Sequence, residues 1–272
     1  DLDSTFLFAE KFNQSIGNWN TSNVISLNAT FAFAHNFNQD LSNWDVSNVK
    51  TMMGTFYFAY KFNQNLSMWN VSNVENMTAM FSDVTDFNYD LDNWDVSNVK
   101  DMRNMFLGAN RFNGNISGWD VSNVTHMDYM FWAADDFNQD IGEWDVSSVT
   151  SMIEMFKRTK SFNQDLSSWN VSKVVDMKDM FDNAALSNIN YERILLGWSI
   201  LPSLQSNMSF HAGNATYSDL SKTSRDILTG SFGWNITDGG LENTGLFIST
   251  WNTTNLGSGN TQIKLPLESS GI

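Results

Sequence analysis

The chain has 272 residues, 30 acidic against 15 basic, a net charge of −15, and 42% hydrophobic residues. That balance supplies a core but no clustered cations, which argues against nucleic acid and anionic lipid as partners. Cysteine is absent, so disulfides and thiolate chemistry are unavailable and the compartment stays open.

The start, "DLDSTFLFAE", is polar and already in the pattern that follows, and no apolar run approaches the ~20 residues of a membrane span. The chain therefore reads as part, or a processed form, of something longer. From here one sentence is written repeatedly. Trp19, Trp44, Trp69, Trp94, Trp119, Trp144 and Trp169 follow at a step of 25 without an insertion. Phe12 to Phe162, Val24 to Val174 and Phe6 to Phe181 keep the same step. A fixed period of this length predicts an array of stacked turns, in the range of leucine-rich repeats.

Within a repeat, "LSNWDVS" has the L-x-x-L-x-L spacing of a leucine-rich strand, with Trp44 and Val46 inward and Asp45 outward. "VSNVKDMRNMFLGA" then predicts a short helix, with Val99, Met102, Phe106 and Ala109 on one face and Ser97 as N-cap. The expected fold is α/β: a right-handed leucine-rich-repeat-like solenoid over 1–186. A C-terminal α+β cap is expected over 187–240, and over 241–272 the start of a β-rich module or a linker. In the cap, "NYERILLGWSIL" and "SDLSKTSRDILTGSFGW" read as helices, and "MSFHAGNATYS" and "WNIT" as strands.

"FNQDLSNWDVSNV", with "M-x-x-MF-x-x-A" after it, resembles the BspA-like leucine-rich-repeat surface proteins. "ILLGWSI", "FHAGNATYS" and "GWNITDGG" are similar to the segment that closes such arrays. The resemblance covers about residues 1–240. It implies a cell-surface or secreted protein, acting in adhesion or in matrix or host contact, and no enzyme activity. It supplies no ligand-binding residues, because the family shares no single ligand.

No nucleotide loop or nucleophile elbow is present, and His35, His126 and His211 fall at unrelated repeat positions. The outward position after each Trp reads Asn20, Asp45, Asn70, Asp95, Asp120, Asp145, Asn170. Two readings compete there. Asp and Asn each bond a nearby backbone N–H in an Asx turn, which their free interchange favours. Alternatively the carboxylate run Asp95, Asp120 and Asp145 holds calcium, the one cofactor considered.

Differences between repeats point to partners. Two residues past the core Phe stand Phe8, Phe33 and Phe58, an aromatic stripe with Tyr57 nearby and an expected interface. "KRTK", with Lys157, Arg158 and Lys160, is the one basic cluster. A solvated charge run is its default reading, and contact with an acidic neighbour the other. Among many N-x-[ST] sites, Asn207 and Asn214 in the cap are the expected glycan acceptors. The partner is then a host or neighbouring-cell surface protein or glycan. The alternative is a coat, surface-layer or filament protein whose partners are copies of itself.

Overall fold

The computed structural model describes residues 1–242. Through the repeats, turn lies on turn in parallel register. Bridges join Ser26 to Thr51, Thr51 to Asn76, Asn76 to Asp101, and so on to Asp176, one per 25-residue step. Along each turn, alternate amides reach the next repeat: Leu27 N–H donates to Thr51 O, Ala29 to Met53, Phe31 to Thr55 and Phe33 to Tyr57. The amides between them close tight turns at home, as Thr30 N–H does on Leu27 O and Ala32 on Ala29 O. A second column returns the other way, from Lys50 N–H to Ile25 O, Glu75 to Lys50 and Lys100 to Glu75.

The expected helix in each repeat does not form. Among the described residues the first α-helix is α1, Asn188–Ser199. Two causes are visible. Parallel-bridged turns lie ~4.8 Å apart, whereas packed helices need about 8–10 Å between axes. The backbone also enters the left-handed region twice in each such segment, at Asn104 (φ 58°) and Gly108 (φ 64°) for example, which no right-handed helix tolerates. Spacings of three and four, taken for a helical face, are equally those of successive turns. The expected strand at "LSNWDVS" is absent too. Trp44 N–H closes on Leu41 O and Val49 N–H on Val46 O, two tight turns in succession.

The inward columns are nevertheless core. Phe31, Phe56, Phe81, Phe106, Phe131, Phe156 and Phe181 are fully buried. Their rings stack along the array, as in Phe31–Phe56 at 5.5 Å and Phe106–Phe131 at 5.7 Å, nearly parallel and offset. Each column Trp from Trp44 to Trp169 also joins two turns by a hydrogen bond. Its indole N–H donates to the carbonyl 28 residues earlier: Trp44 to Ile16, Trp69 to Leu41, Trp94 to Leu66, Trp119 to Leu91, Trp144 to Ile116 and Trp169 to Ile141. Amides of the Phe-Asn pairs form a second side-chain ladder. Asn13 Oδ1 accepts from Asn38 N–H, Asn38 from Asn63, and the chain of bonds reaches Asn163.

The C-terminal segment reproduces these contacts with different elements. Helix α1 is capped by the Ser187 side chain. Strand β1 (Ser209–His211) pairs in parallel with β2 (Asn235–Thr237). Between them run α2 (Asp219–Asp226), capped by Ser218, and a wide π-helical turn over Ile227–Ser231. Trp198 on α1 takes the next rung, donating to Leu166 O at 3.0 Å. Ser187 N–H and Asn190 Nδ2–H finish the ladder on Asn163 Oδ1. β1 meets the last turn, where Phe181 N–H donates to His211 O. α1 lies so close that a Cβ on Gly197 would stand 2.1 Å from Ser167 O, so only glycine fits. The β-rich module expected from Leu241 lies, from residue 243 onward, outside the described residues.

The indole rung is testable. Trp94→Phe keeps a ring in the column but removes the indole bond to Leu66 O, which then accepts from Trp69 N–H alone. The lost bond costs about 0.5–1.5 kcal/mol, besides the space vacated. Urea unfolding of this variant is expected to lose at least that much relative to wild type.

Candidate functional site

The Asx ladder is the simplest surface to describe. Asn20, Asp45, Asn70, Asp95, Asp120, Asp145 and Asn170 each accept, through Oδ1, the N–H of the Ser two residues on. The Ser hydroxyl adds a second bond at Asn20, Asp45, Asn70 and Asp95. Amide and carboxylate therefore do the same work, which accounts for their interchange. Asp95, Asp120 and Asp145 are thus engaged singly, each with its own turn. Among the described residues no three His, Cys, Asp or Glu side chains converge as a metal ion requires.

The Ser47 hydroxyl and amide hold the Asp45 carboxyl below the usual carboxylate range, and Ser147 does the same for Asp145. A depressed folded value gives stability that is complete above the unfolded pKa and lost as pH falls through the folded one. Asp45→Asn should therefore leave the Tm at neutral pH within about 2 °C of wild type. It should also soften the acid loss of stability, whereas Asp45→Ala should lower the Tm at neutral pH. Thermal melts between pH 2 and 7 check all three.

The basic cluster does not form a free cationic patch. Lys157 Nζ sits among Glu154, Asp179 and Asp182 at 3.3–3.4 Å. Lys160 pairs with Asp135 at 2.6 Å. The Arg158 guanidinium lies 5.2 Å from the centre of the Trp132 ring. Trp132, which sequence reasoning passed over because it stands outside the repeating columns, also donates its indole N–H to Glu154. Neighbouring repeats thus supply the acidic and aromatic partners that a one-dimensional charge run could not reveal. Asn207 and Asn214 are both exposed in the cap.

The aromatic stripe is assembled in space. Phe8 stacks on Phe33 at 4.7 Å and Phe33 on Phe58 at 5.0 Å, with planes within 25° and 5°. Tyr57 meets Phe33 and Phe58 edge-on at 5.3 and 4.4 Å. His35 and Tyr60 stack at 4.8 Å along its flank. Phe8 is 64% exposed, and Phe33, Phe58 and Tyr57 are half-buried. Beside the stripe, Tyr57 and Met53 wall an apolar pocket of about 240 Å³ floored by Ala29, Ala32, Gly54 and Ala79. Stripe and pocket together make one apolar face across the first four turns.

Backbone geometry sharpens the observation. The stripe position has positive φ in every turn: 58° at Phe8, 58° at Phe33, 59° at Phe58, then Asp83, Gly108, Ala133, Arg158 and Asn183. Gly, Asn and Asp enter this region readily. A bulky ring there is a true outlier, costing roughly 1–2 kcal/mol by the steric argument for L-residues. Three successive phenylalanines at such a position are not what stability alone selects. Stacking recovers only about 0.5–1.5 kcal/mol per pair. Nothing in a single sequence marks the position as left-handed, although Gly108, Asp83 and Asn183 in the column are its trace.

The stripe ends at Asp83, whose burial pushes its carboxyl up from the usual range. Burial, and then the Asp83 charge, likewise push the Tyr57 phenol up. For a carboxyl raised by folding, the charged form is the penalised one, so stability falls as pH rises through its titration. Asp83→Asn keeps a residue suited to positive φ and removes the charge. Its Tm should exceed wild type at pH 7, and the difference should vanish below the ordinary carboxylate range.

The family described as "Mycoplasma protein of unknown function, DUF285" matches this chain over residues 1–94 and again over 76–194. The chain belongs to that family. No curated protein matches it. Among the described residues no helix is long and apolar enough to cross a membrane.

Proposed function

We propose that the chain is a BspA-like repeat protein whose 25-residue turns form a solenoid. In this reading it is displayed outside the cell and works in adhesion or protein or glycan binding, without enzymatic activity. The observation that carries this is the apolar face of Phe8, Phe33, Phe58 and Tyr57 with its adjoining pocket. Exposed contiguous aromatic surface marks interaction sites, and buried aromatic anchors dominate interface energetics. Left-handed backbone at three of these rings supports selection for contact rather than for stability, since strained positions cluster at functional sites. The Asx ladder, a mixture of carboxylates and amides, offers hydrogen bonds repeated at a regular step, suited to multivalent recognition. A coat or filament role remains the second reading, favoured by the apolar face being as suited to another copy as to a foreign partner.

Removing two rings, Phe33→Asn with Phe58→Asn, separates binding from folding. The variant loses surface stacking but places at both left-handed positions a residue that enters that region readily, so the net change in stability should be within about 1 kcal/mol. Truncating the buried Phe56 to Ala should instead cost about 3–5 kcal/mol. Fluorescently labelled protein is added to intact cells of its source and to cultured animal cells, and read by flow cytometry. The double variant is expected to bind at least ~10-fold more weakly than wild type. Equal binding would remove the stripe as the site. Absence of binding, with surface proteolysis of source cells releasing no peptide of this chain before lysis, would overturn the extracellular reading.

A further inference from the structure

Three side chains in the middle of the array break the repeat, and they lie together. Tyr89 stands where most turns have Gln, as at Gln39, Gln64 and Gln139. Asp92 stands where the other turns have Ser or Gly, and Met68 where they have Asn, Gly, Glu or Ser. All three are exposed, Met68 by 80%.

The stack loosens at this point. A repeat Gln donates to the Asn ladder, as Gln64 Nε2 does to Asn38 Oδ1 at 2.7 Å, and Tyr89 has no such group. The rung from Asn88 N–H to Asn63 Oδ1 is 3.3 Å long, where the other rungs are 2.8–2.9 Å. The Phe62 and Phe87 rings lie 6.3 Å apart, against 5.7–6.0 Å elsewhere in that column. The Tyr89 turn leans instead on the turn that follows it. Leu91 N–H donates to Asn115 O and Asn115 N–H to Asp90 Oδ1, bonds made at no other turn among the described residues. Gly114 permits the approach, since a Cβ there would stand 2.1 Å from Tyr89 O. Between residues 65–71 and 89–95 two recesses open side by side, of about 460 and 240 Å³, sharing Ser67 and Asn93. Met68 lines the first, and Tyr89 and Asp92 the second.

We infer that this cleft binds a neutral oligosaccharide, at a site separate from the aromatic face, none of whose residues line it. Its larger recess falls in the usual range of ligand clefts, about 300–1,000 Å³. A sugar hydroxyl donates and accepts at once, and the lining answers with amides and carboxylates. Asn70 and Asp95 spend Oδ1 on their own Ser turns, which leaves Asn70 Nδ2 and Asp95 Oδ2 uncommitted among the described residues. Tyr89 and Met68 supply apolar surface for the C–H face of a sugar ring, and the Tyr89 hydroxyl a polar tip. Charge selects the class. Asp90, Asp92 and Asp95 line the cleft and no cation does, so sialylated, sulfated or uronic sugars are repelled. A metal ion would need converging carboxylates, and among the described residues no three acidic side chains converge.

The test restores the repeat with Met68→Asn, Tyr89→Gln and Asp92→Ser together, each a residue that other turns carry at that register. This variant should melt no lower than wild type, because Tyr89→Gln offers the ladder its missing bond. Asp92→Ser alone changes one exposed side chain and should leave the Tm unaltered. The full chain is screened on an array of neutral and anionic oligosaccharides, and the strongest neutral binder is then titrated by calorimetry. Wild type is expected to bind neutral sugars and not their sialylated or sulfated forms. The restored variant should bind at least ~10-fold more weakly, and Asp92→Ser at least ~3-fold. Phe33→Asn with Phe58→Asn should bind as wild type does. If wild type binds no neutral sugar, or the restored variant binds equally well, the proposal falls. It falls too if the Phe33 and Phe58 substitutions abolish sugar binding, which would place the ligand on the aromatic face. Oligolysine bound in place of sugar, and lost in the restored variant, would overturn it in favour of a basic peptide.

Discussion

Everything in this molecule depends on polar groups being passed across a 25-residue step. A tight turn buries main-chain groups that it cannot all satisfy itself, and an unpaired buried group is costly. Here alternate amides close turns locally and the others cross to the next repeat. Trp indoles and Asn amides do the same with side chains. Because the bonds cross at a fixed offset, an insertion of one residue would misplace every ring column at once. This explains an array kept at 25 residues from Trp19 to Trp169.

The same constraint decides the conformation of each turn. Main-chain bonds between neighbouring turns hold them ~4.8 Å apart, too close for helices to lie side by side. The chain meets that spacing with consecutive turns and two left-handed residues per repeat. Where helix does occur, in α1, it comes at the end of the array and has no helical neighbour to accommodate on the repeat side. Trp198 then acts from a helix as the column Trp residues act from a turn, and Asn190 Nδ2–H donates to Asn163 Oδ1 as Gln64 Nε2–H does to Asn38 Oδ1.

Much of this was legible in the sequence, but not evenly. The Trp, Phe and Val columns announce which side chains face inward, because period and chemistry agree at every step. The Asp/Asn interchange points to a shared oxygen acceptor, which the Ser47, Ser97 and Ser122 amides supply from the other side of the bond. Ser187 and Ser218, ahead of polar–apolar alternation, mark the cap helices. Local conformation inside the repeats was not legible, since Val99, Met102, Phe106 and Ala109 fit a helical face and a run of turns alike. Nor were the partners of Lys157 and Arg158, which lie one repeat away in either direction. For the stripe, sequence showed three phenylalanines at one register. Only the backbone shows that each is held at positive φ, and that distinction raises the stripe above a scatter of surface rings.

The central claim, that indole and amide bonds lock successive turns in register, is tested most directly by hydrogen exchange of the Trp indole N–H groups. In ¹⁵N-Trp-labelled protein, the signals of Trp44, Trp69, Trp94, Trp119, Trp144, Trp169 and Trp198 should exchange slowly as one protected set. Trp19 should exchange fast. Rapid exchange throughout the column would contradict the account, because buried indoles bonded to carbonyls across turns cannot open without parting the stack.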